Sequence, residues 1–267
     1  MLDAWRQAWQ ARREQAALQR RVIPDDLWKR TLVRYPFLRR RDDPGATALR
    51  RLTSLFLDAK SFTVVGDLRL SDALVVSIAA QACLPILRLG LGAYDSFVGI
   101  VVHADQVVAP REVMDDYGVV HQYDAVLAGE TVRGGPVMLS WRDVRAAGRG
   151  AEGAGAYCVV IHEFAHVLDL AQGPVEALPI LPPDIPAAEW RAVMQTSHAA
   201  LVRLVESGTP TSMDAYGAES LTEFFAVAAE AFFVSPAAMQ NEHPALYGML
   251  VRYFRQDPAA EQPKPRR

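Results

Sequence analysis

The stretch from Tyr157 to Leu170, YCVVIHEFAHVLDL, sets His162, Glu163 and His166 inside a largely apolar run. His162 and His166 are four residues apart, so on a helix they share one face and both imidazoles reach one point. Glu163 follows the first histidine, where it can approach an open coordination position without being a ligand. The flanking Val, Ile, Leu and Phe residues require burial, and unpartnered polar groups in a buried helix cost kilocalories. Any fold of this chain must therefore bring partners to two buried histidines. With six His and thirteen Glu in 267 residues, chance supplies about 0.006 HExxH matches per chain. The pattern points to two histidines on Zn²⁺, with Glu163 as general base toward a metal-activated water.

Such a site needs a third ligand. The continuation HExxHxxGxxH would require Gly and His where this chain has Asp169 and Gln172, which excludes that class. A carboxylate from a later helix is the other solution. The segment ESLTEFFAVAAEAFF carries Glu219, Glu223 and Glu230, four and seven residues apart and so on one helical face. From Glu223 to Phe233 only Glu223 and Glu230 are ionisable, and buried carboxylates call for a cation or hydrogen-bond donors. Glu219 suits the dipole at the helix start. Periodicity alone does not choose between them. Asp169, one turn after His166, and Glu230 are candidates to accept the outer N–H of a ligating histidine.

Charge is divided unevenly along the chain. Residues 1–60 hold 14 Lys and Arg against 7 Asp and Glu, and the remainder holds 14 against 24. Residues 4–21 alternate apolar and basic positions at helical spacing, which predicts an amphipathic arm over 1–21. No nucleic-acid-binding signature accompanies that basic excess, so no direct nucleic-acid partner is expected. Further helices are predicted from Pro24 onward and around 46–60 and 71–83. SFVGIVVHA and PVMLSW read as strands, and Gly134-Gly135 as a turn. Helices follow near 154–171, 187–206, 219–233 and 243–255, with a loop over 173–186. That order implies an α+β fold with a small sheet and a helical C-terminal third: one domain over 22–257 and a flexible tail over 258–267. Cys83 and Cys158 lie in apolar runs and read as buried small hydrophobes. The first residues lack a secretory pattern and no segment is long and apolar enough to span a membrane, so a cytoplasmic location is expected.

HEFAHVLDL, then DAYGAESLTEFFAVAAEAFF, then YFRQDP resemble the Mlc titration factor A family of bacterial zinc-dependent peptidases. CLPILRLGL, DSFVGIVVHADQVV and GGPVMLSW are similar to that family too, so the resemblance runs from about residue 50 to 258. AY…TEFFA also resembles the catalytic domain of anthrax lethal factor, a relative in fold. The resemblance implies a zincin-like fold, with Glu223 as third zinc ligand and Tyr216 facing the site. It further implies peptide substrates, aminopeptidase activity by metal-activated water, and an alternative role as a binding protein that sequesters an Mlc-like repressor of sugar uptake. On that basis Tyr216 would stabilise the tetrahedral oxyanion. PVMLSW is a candidate edge strand for an extended substrate.

Overall fold

The computed structural model describes residues 2–39, 43–114, 120–148, 156–171 and 178–261. A four-stranded sheet is built from β1 (Ser61–Val64), β2 (Gly99–His103), β5 (Gly129–Thr131) and β6 (Val137–Ser140), in the order β1-β2-β6-β5. The first three neighbours run parallel, and β5 is antiparallel to β6. Ile100 and Val102 of β2 and Val137 and Leu139 of β6 are completely buried, as β-branched and apolar side chains of interior strands must be. β3 (Val107–Met114) and β4 (Val120–Leu127) form a separate antiparallel hairpin with Val107 opposite Leu127. PVMLSW therefore supplies an interior strand, because β5 pairs along its outer side. The edge expected there belongs to β5, three residues too short to show a periodicity. Gly134, at φ +69°, makes the turn between β5 and β6, where Gly135 N donates to Val132 O at 2.9 Å.

The helices before the sheet are α1 (Leu2–Arg20), α2 (Asp25–Arg34) and α3 (Asp43–Ala59); α4 (Asp72–Cys83) connects β1 to β2. Ser71 caps α4 by accepting Leu74 N at 3.3 Å, and nearly every residue from Leu74 to Cys83 is buried. The basic arm is α1. It lies on α3, where Arg20 pairs with Asp58 at 2.7 Å, Arg51 pairs with Glu14, and Ala17 is buried. Trp5 and Trp9 stay exposed. Cys83 and Cys158 are both buried free thiols, as expected.

After the sheet come α5 (Trp141–Ala146), α6 (Val159–Leu170), α7 (Ala187–Glu206), α8 (Leu221–Val234), α9 (Pro236–Glu242), α10 (Pro244–Phe254) and α11 (Pro258–Glu261). α8 is buried all round from Phe224 to Phe233, which suits a helix with almost no polar positions. Trp190 of α7 meets Phe225 and Tyr253 at ring distances of 5.7 and 5.1 Å, locking α7, α8 and α10 together. On its other side α6 sends Phe164 into Phe56, Tyr94 and Phe97 at 5.0–5.7 Å. Edge-on aromatic packing of this kind holds α6 between sheet and helices. Residues 258–261, within the expected tail, form α11. Pro258 is buried, and Ala259 N donates to the phenol oxygen of Tyr247 at 2.9 Å. The rest of the tail, and residues 172–177 of the expected loop, lie outside the described residues. No helix among the described residues is long and apolar enough to cross a membrane.

Candidate metal centre

α6 carries HEFAH, and its buried flanks turn His162 and His166 toward the start of α8. Ser220 caps α8 by accepting Glu223 N at 3.1 Å, so Glu223 stands at the third helical position. Ser-x-x-Glu is the sequence of a capping box, but here the carboxylate is engaged by histidines. Glu223 Oε2 lies 3.1 Å from His162 Nε2 and 3.4 Å from His166 Nε2, and the two Nε2 atoms are 3.1 Å apart. Among the described residues these three are the group of His, Cys, Asp and Glu whose ligand atoms converge.

The geometry passes a simple test for a metal. Around a tetrahedral ion with bonds of about 2.0–2.1 Å, ligand atoms sit roughly 3.3–3.4 Å from one another. The observed separations of 3.1–3.4 Å match that triangle. Two imidazole nitrogens and one carboxylate oxygen are also a donor set that zinc accepts. Electrostatics agree. Burial would lower the pKa of His162, but Glu223 and Glu230 outweigh it and raise it well above the ordinary value. Burial would raise Glu223, yet hydrogen bonds with His162 and His166 bring its carboxyl down to about 2. The carboxylates thus demand positive charge at this point, which a cation supplies in place of protons.

The structure gives Glu219, Glu223 and Glu230 different places. Glu223 meets the inner nitrogens. Glu230, 3% exposed, reaches the outer side of His162, with Oε1 2.8 Å from Nδ1 and Oε2 accepting from Cys158 N. A hydrogen bond from Nδ1–H to a carboxylate leaves Nε2 with its lone pair facing inward, the tautomer a metal needs. Glu219 is exposed at the cleft rim. Asp169 is buried on α6 near Tyr253, whose phenol is raised first by burial and then by that carboxylate.

Tyr216 stands on a 3-10 turn, Ala215–Ala218, capped by Asp214 Oδ1 accepting Tyr216 N at 2.9 Å. Its ring centroid is 6.1 Å from that of His162, and the residue is 47% exposed. Glu163, by contrast, is 5% exposed, and burial pushes its carboxyl upward against the two imidazoles. All of these residues except Asp169 line one cleft of 620 Å³, with Leu127 of the hairpin and Thr131 of β5 as further walls. That volume is ordinary for a small-ligand site. His103, His198 and His243 do not line it; His198 Nε2 pairs with the carbonyl of Ala218 at 3.2 Å. The side chain of His121 lies outside the described residues.

Three neighbours of the site escaped sequence reasoning. Thr131 Oγ1 donates to Glu163 Oε2 at 2.8 Å. Gly129 faces the same carboxyl, and Tyr157 donates its phenol proton to buried Asp143 at 2.9 Å. A glycine within a strand marks close approach of another group, but AGET is too short to show that a strand is there.

A model of the glucose-regulated metallopeptidase M90 family matches residues 7–255. The chain belongs to that family. The M90 match takes in most of α1, so the resemblance extends well beyond residue 50 toward the N-terminus. Similar relatives include the Mlc titration factor A of Edwardsiella ictaluri, 34% identical over 84% of this chain and 85% of the relative. An uncharacterized protein of Synechocystis is 32% identical over 94% of this chain and 90% of its own length. The Mlc titration factor A of Pectobacterium atrosepticum is 31% identical over 85% of each chain. In this M90 chain the converging triad of His162, His166 and Glu223 fits the metal that the family name implies.

Proposed function

We propose that this protein is a zincin-type peptidase in which His162, His166 and Glu223 hold one Zn²⁺ and Glu163 is the general base. The observation that carries the reading is the convergence of three ligand atoms at 3.1–3.4 Å with a buried carboxylate in the same cleft. A bound zinc ion supplies Lewis acidity, polarising the peptide carbonyl and making a water easier to deprotonate. Glu163 accepts the proton of the attacking water and passes it to the leaving amine. Tyr216 donates its phenol hydrogen to the oxyanion that develops on the carbonyl oxygen. Glu230 keeps the His162 ring turned toward the ligand cluster, and Asp169, one turn after His166 on α6, is the counterpart candidate to accept the outer N–H of a ligating histidine. β5 offers its outer edge to an extended substrate beside α6.

Acidic side chains in the cleft, Glu130, Asp214 and Glu219, suit the α-amine of an aminopeptidase substrate. The expected location is the cytoplasm. The test is metal content of the purified protein together with hydrolysis of chromogenic amino-acid and peptide substrates, with and without chelator. Stoichiometric zinc with no hydrolysis, indistinguishable from Glu163→Gln, would sink the reading. A second role, capture of an Mlc-like transcriptional repressor, draws support from the names of the relatives. Pull-down of such a repressor by the native protein and by Glu163→Gln separates the two, since equal capture is the mark of binding independent of catalysis.

A further inference from the structure

We propose that Thr131 and Gly129, on the edge strand β5, are positioning residues that decide which oxygen of Glu163 meets the reacting water. The inference rests on the peptidase reading and adds a device to it. A general base must present one oxygen in one direction, and a glutamate on a helix has three rotatable bonds with which to miss. Thr131 removes that freedom. Its hydroxyl lies 2.8 Å from Glu163 Oε2 and 3.0 Å from the Glu163 backbone oxygen. The single hydroxyl hydrogen serves one acceptor at a time, and the carboxylate is the stronger, since bonds to ionised groups are about twice as strong as neutral ones.

With Oε2 tied to Thr131, Oε1 is the oxygen left for catalysis. Its place exists because residue 129 has no side chain. A Cβ there would stand 2.5 Å from Oε1, 2.6 Å from Cγ and 2.7 Å from Cδ of Glu163. All three separations are below any real carbon contact, and Glu163 is buried, so the carboxyl would have to leave. Backbone and side chain of one three-residue strand thus grip the carboxyl from two sides. β5 is held in turn by antiparallel pairing with β6, Gly129 opposite Leu139 and Thr131 opposite Val137. In the reaction, water gives a proton to Oε1 as its oxygen bonds to the carbonyl carbon. That proton then moves to the amine nitrogen as the C–N bond breaks, and Thr131 keeps hold of Oε2 throughout.

Three variants of the zinc-loaded protein test this. Thr131→Val keeps shape and removes the hydroxyl, Thr131→Ser keeps the hydroxyl, and Gly129→Ala adds the Cβ. Expected results are a fall in kcat of up to roughly 100-fold for Thr131→Val, the cost of a misplaced catalytic group, with KM and zinc content unchanged, recovery to within a few-fold in Thr131→Ser, and a larger fall in Gly129→Ala. A readout independent of turnover accompanies them. Crystal structures of Thr131→Val and Gly129→Ala should show the Glu163 carboxyl in a new rotamer, with His162, His166 and Glu223 in place. The proposal is overturned if the carboxyl is unmoved in both, or if Thr131→Ser loses as much kcat as Thr131→Val. Zinc-loaded native protein that hydrolyses no peptide refutes the peptidase reading instead, and the crystal structures still decide the grip on Glu163.

Discussion

Replacing Glu230 with glutamine probes how the metal centre is held, because it changes the chemistry of a buried side chain while keeping its shape. Both oxygens of Glu230 face donors, His162 Nδ1 at 2.8 Å and the backbone N–H of Cys158, and the residue is 3% exposed. A glutamine amide offers one acceptor oxygen, and its nitrogen is a donor. Suppose the oxygen stays with Cys158. The amide N–H then confronts Nδ1, and the imidazole must move its proton to Nε2, the atom aimed at Glu223 and His166. A protonated Nε2 is no ligand. If the oxygen stays with His162 instead, the buried Cys158 N–H faces another donor at a cost of about 1–3 kcal/mol. Losing the carboxylate partner of a metal-bound histidine lowers metal affinity roughly 10–100-fold, which is about 1.4–2.8 kcal/mol. Zinc competition against a chromophoric chelator reads the first effect. Thermal melting of the metal-free forms reads the second, at about 2–4 °C per kcal/mol for a chain of this size. A Glu230→Gln protein that binds zinc as tightly as the native one and melts at the same temperature would refute the argument that Glu230 sets the tautomer of His162.

Glu163→Gln should retain zinc and lose roughly 10²–10⁴-fold in kcat, the span of general-base contributions; a loss of metal would instead make Glu163 a ligand. Tyr216→Phe should lower kcat by about 10²–10³-fold, the effect of removing one oxyanion donor, with melting temperature unchanged because the residue is 47% exposed. Free zinc at about 100 times Kd should stabilise the native protein by about 2.7 kcal/mol. Denaturant melts of His162→Ala, run with and without zinc, should coincide. Arg20, by pairing first through its hydrogen bond, holds Asp58 below its ordinary pKa of 3.8. Since the folded pKa is the lower one, this tie between α1 and α3 is complete above pH 3.8 and is lost as pH falls through the folded value. Protection factors of the α1 amides, taken relative to the intrinsic exchange rate at each pH, should therefore fall below pH 3.8, and Asp58→Asn should show the same loss of protection at neutral pH; equal protection in that variant removes the ion pair from the account.

Long helices were legible because their periodicity outlasts noise. The expected helix over 187–206 has the observed bounds of α7, Ala187–Glu206, and 71–83 becomes α4 with Ser71 as cap. Strands were the weak point. β1 and β5 have four and three residues, too few for alternation to register, and the hairpin β3–β4 carries Pro110, Arg111 and Asp124 among its apolar positions. Without β5, PVMLSW looked like an edge.

Taken alone, the residue order specified the chemistry: HExxH on a buried helix, a carboxylate on another, and an acidic domain with a basic arm. Spacing of four residues is a local fact, since one helical turn suffices to bring His162 and His166 together. Which glutamate completes the cluster is not local. Glu223 and Glu230 share a helical face, and the sequence without any resemblance left both open. The crossing of α8 over α6 decides it, setting Glu223 against both Nε2 atoms and Glu230 about two turns further on, behind His162. The same holds for Thr131 and Gly129, 32 and 34 positions before Glu163 in the chain, which reach its carboxyl only because an edge strand and a buried helix pack side by side. Contacts made along one helix are written in its spacing; contacts between elements depend on packing that no short window of sequence contains.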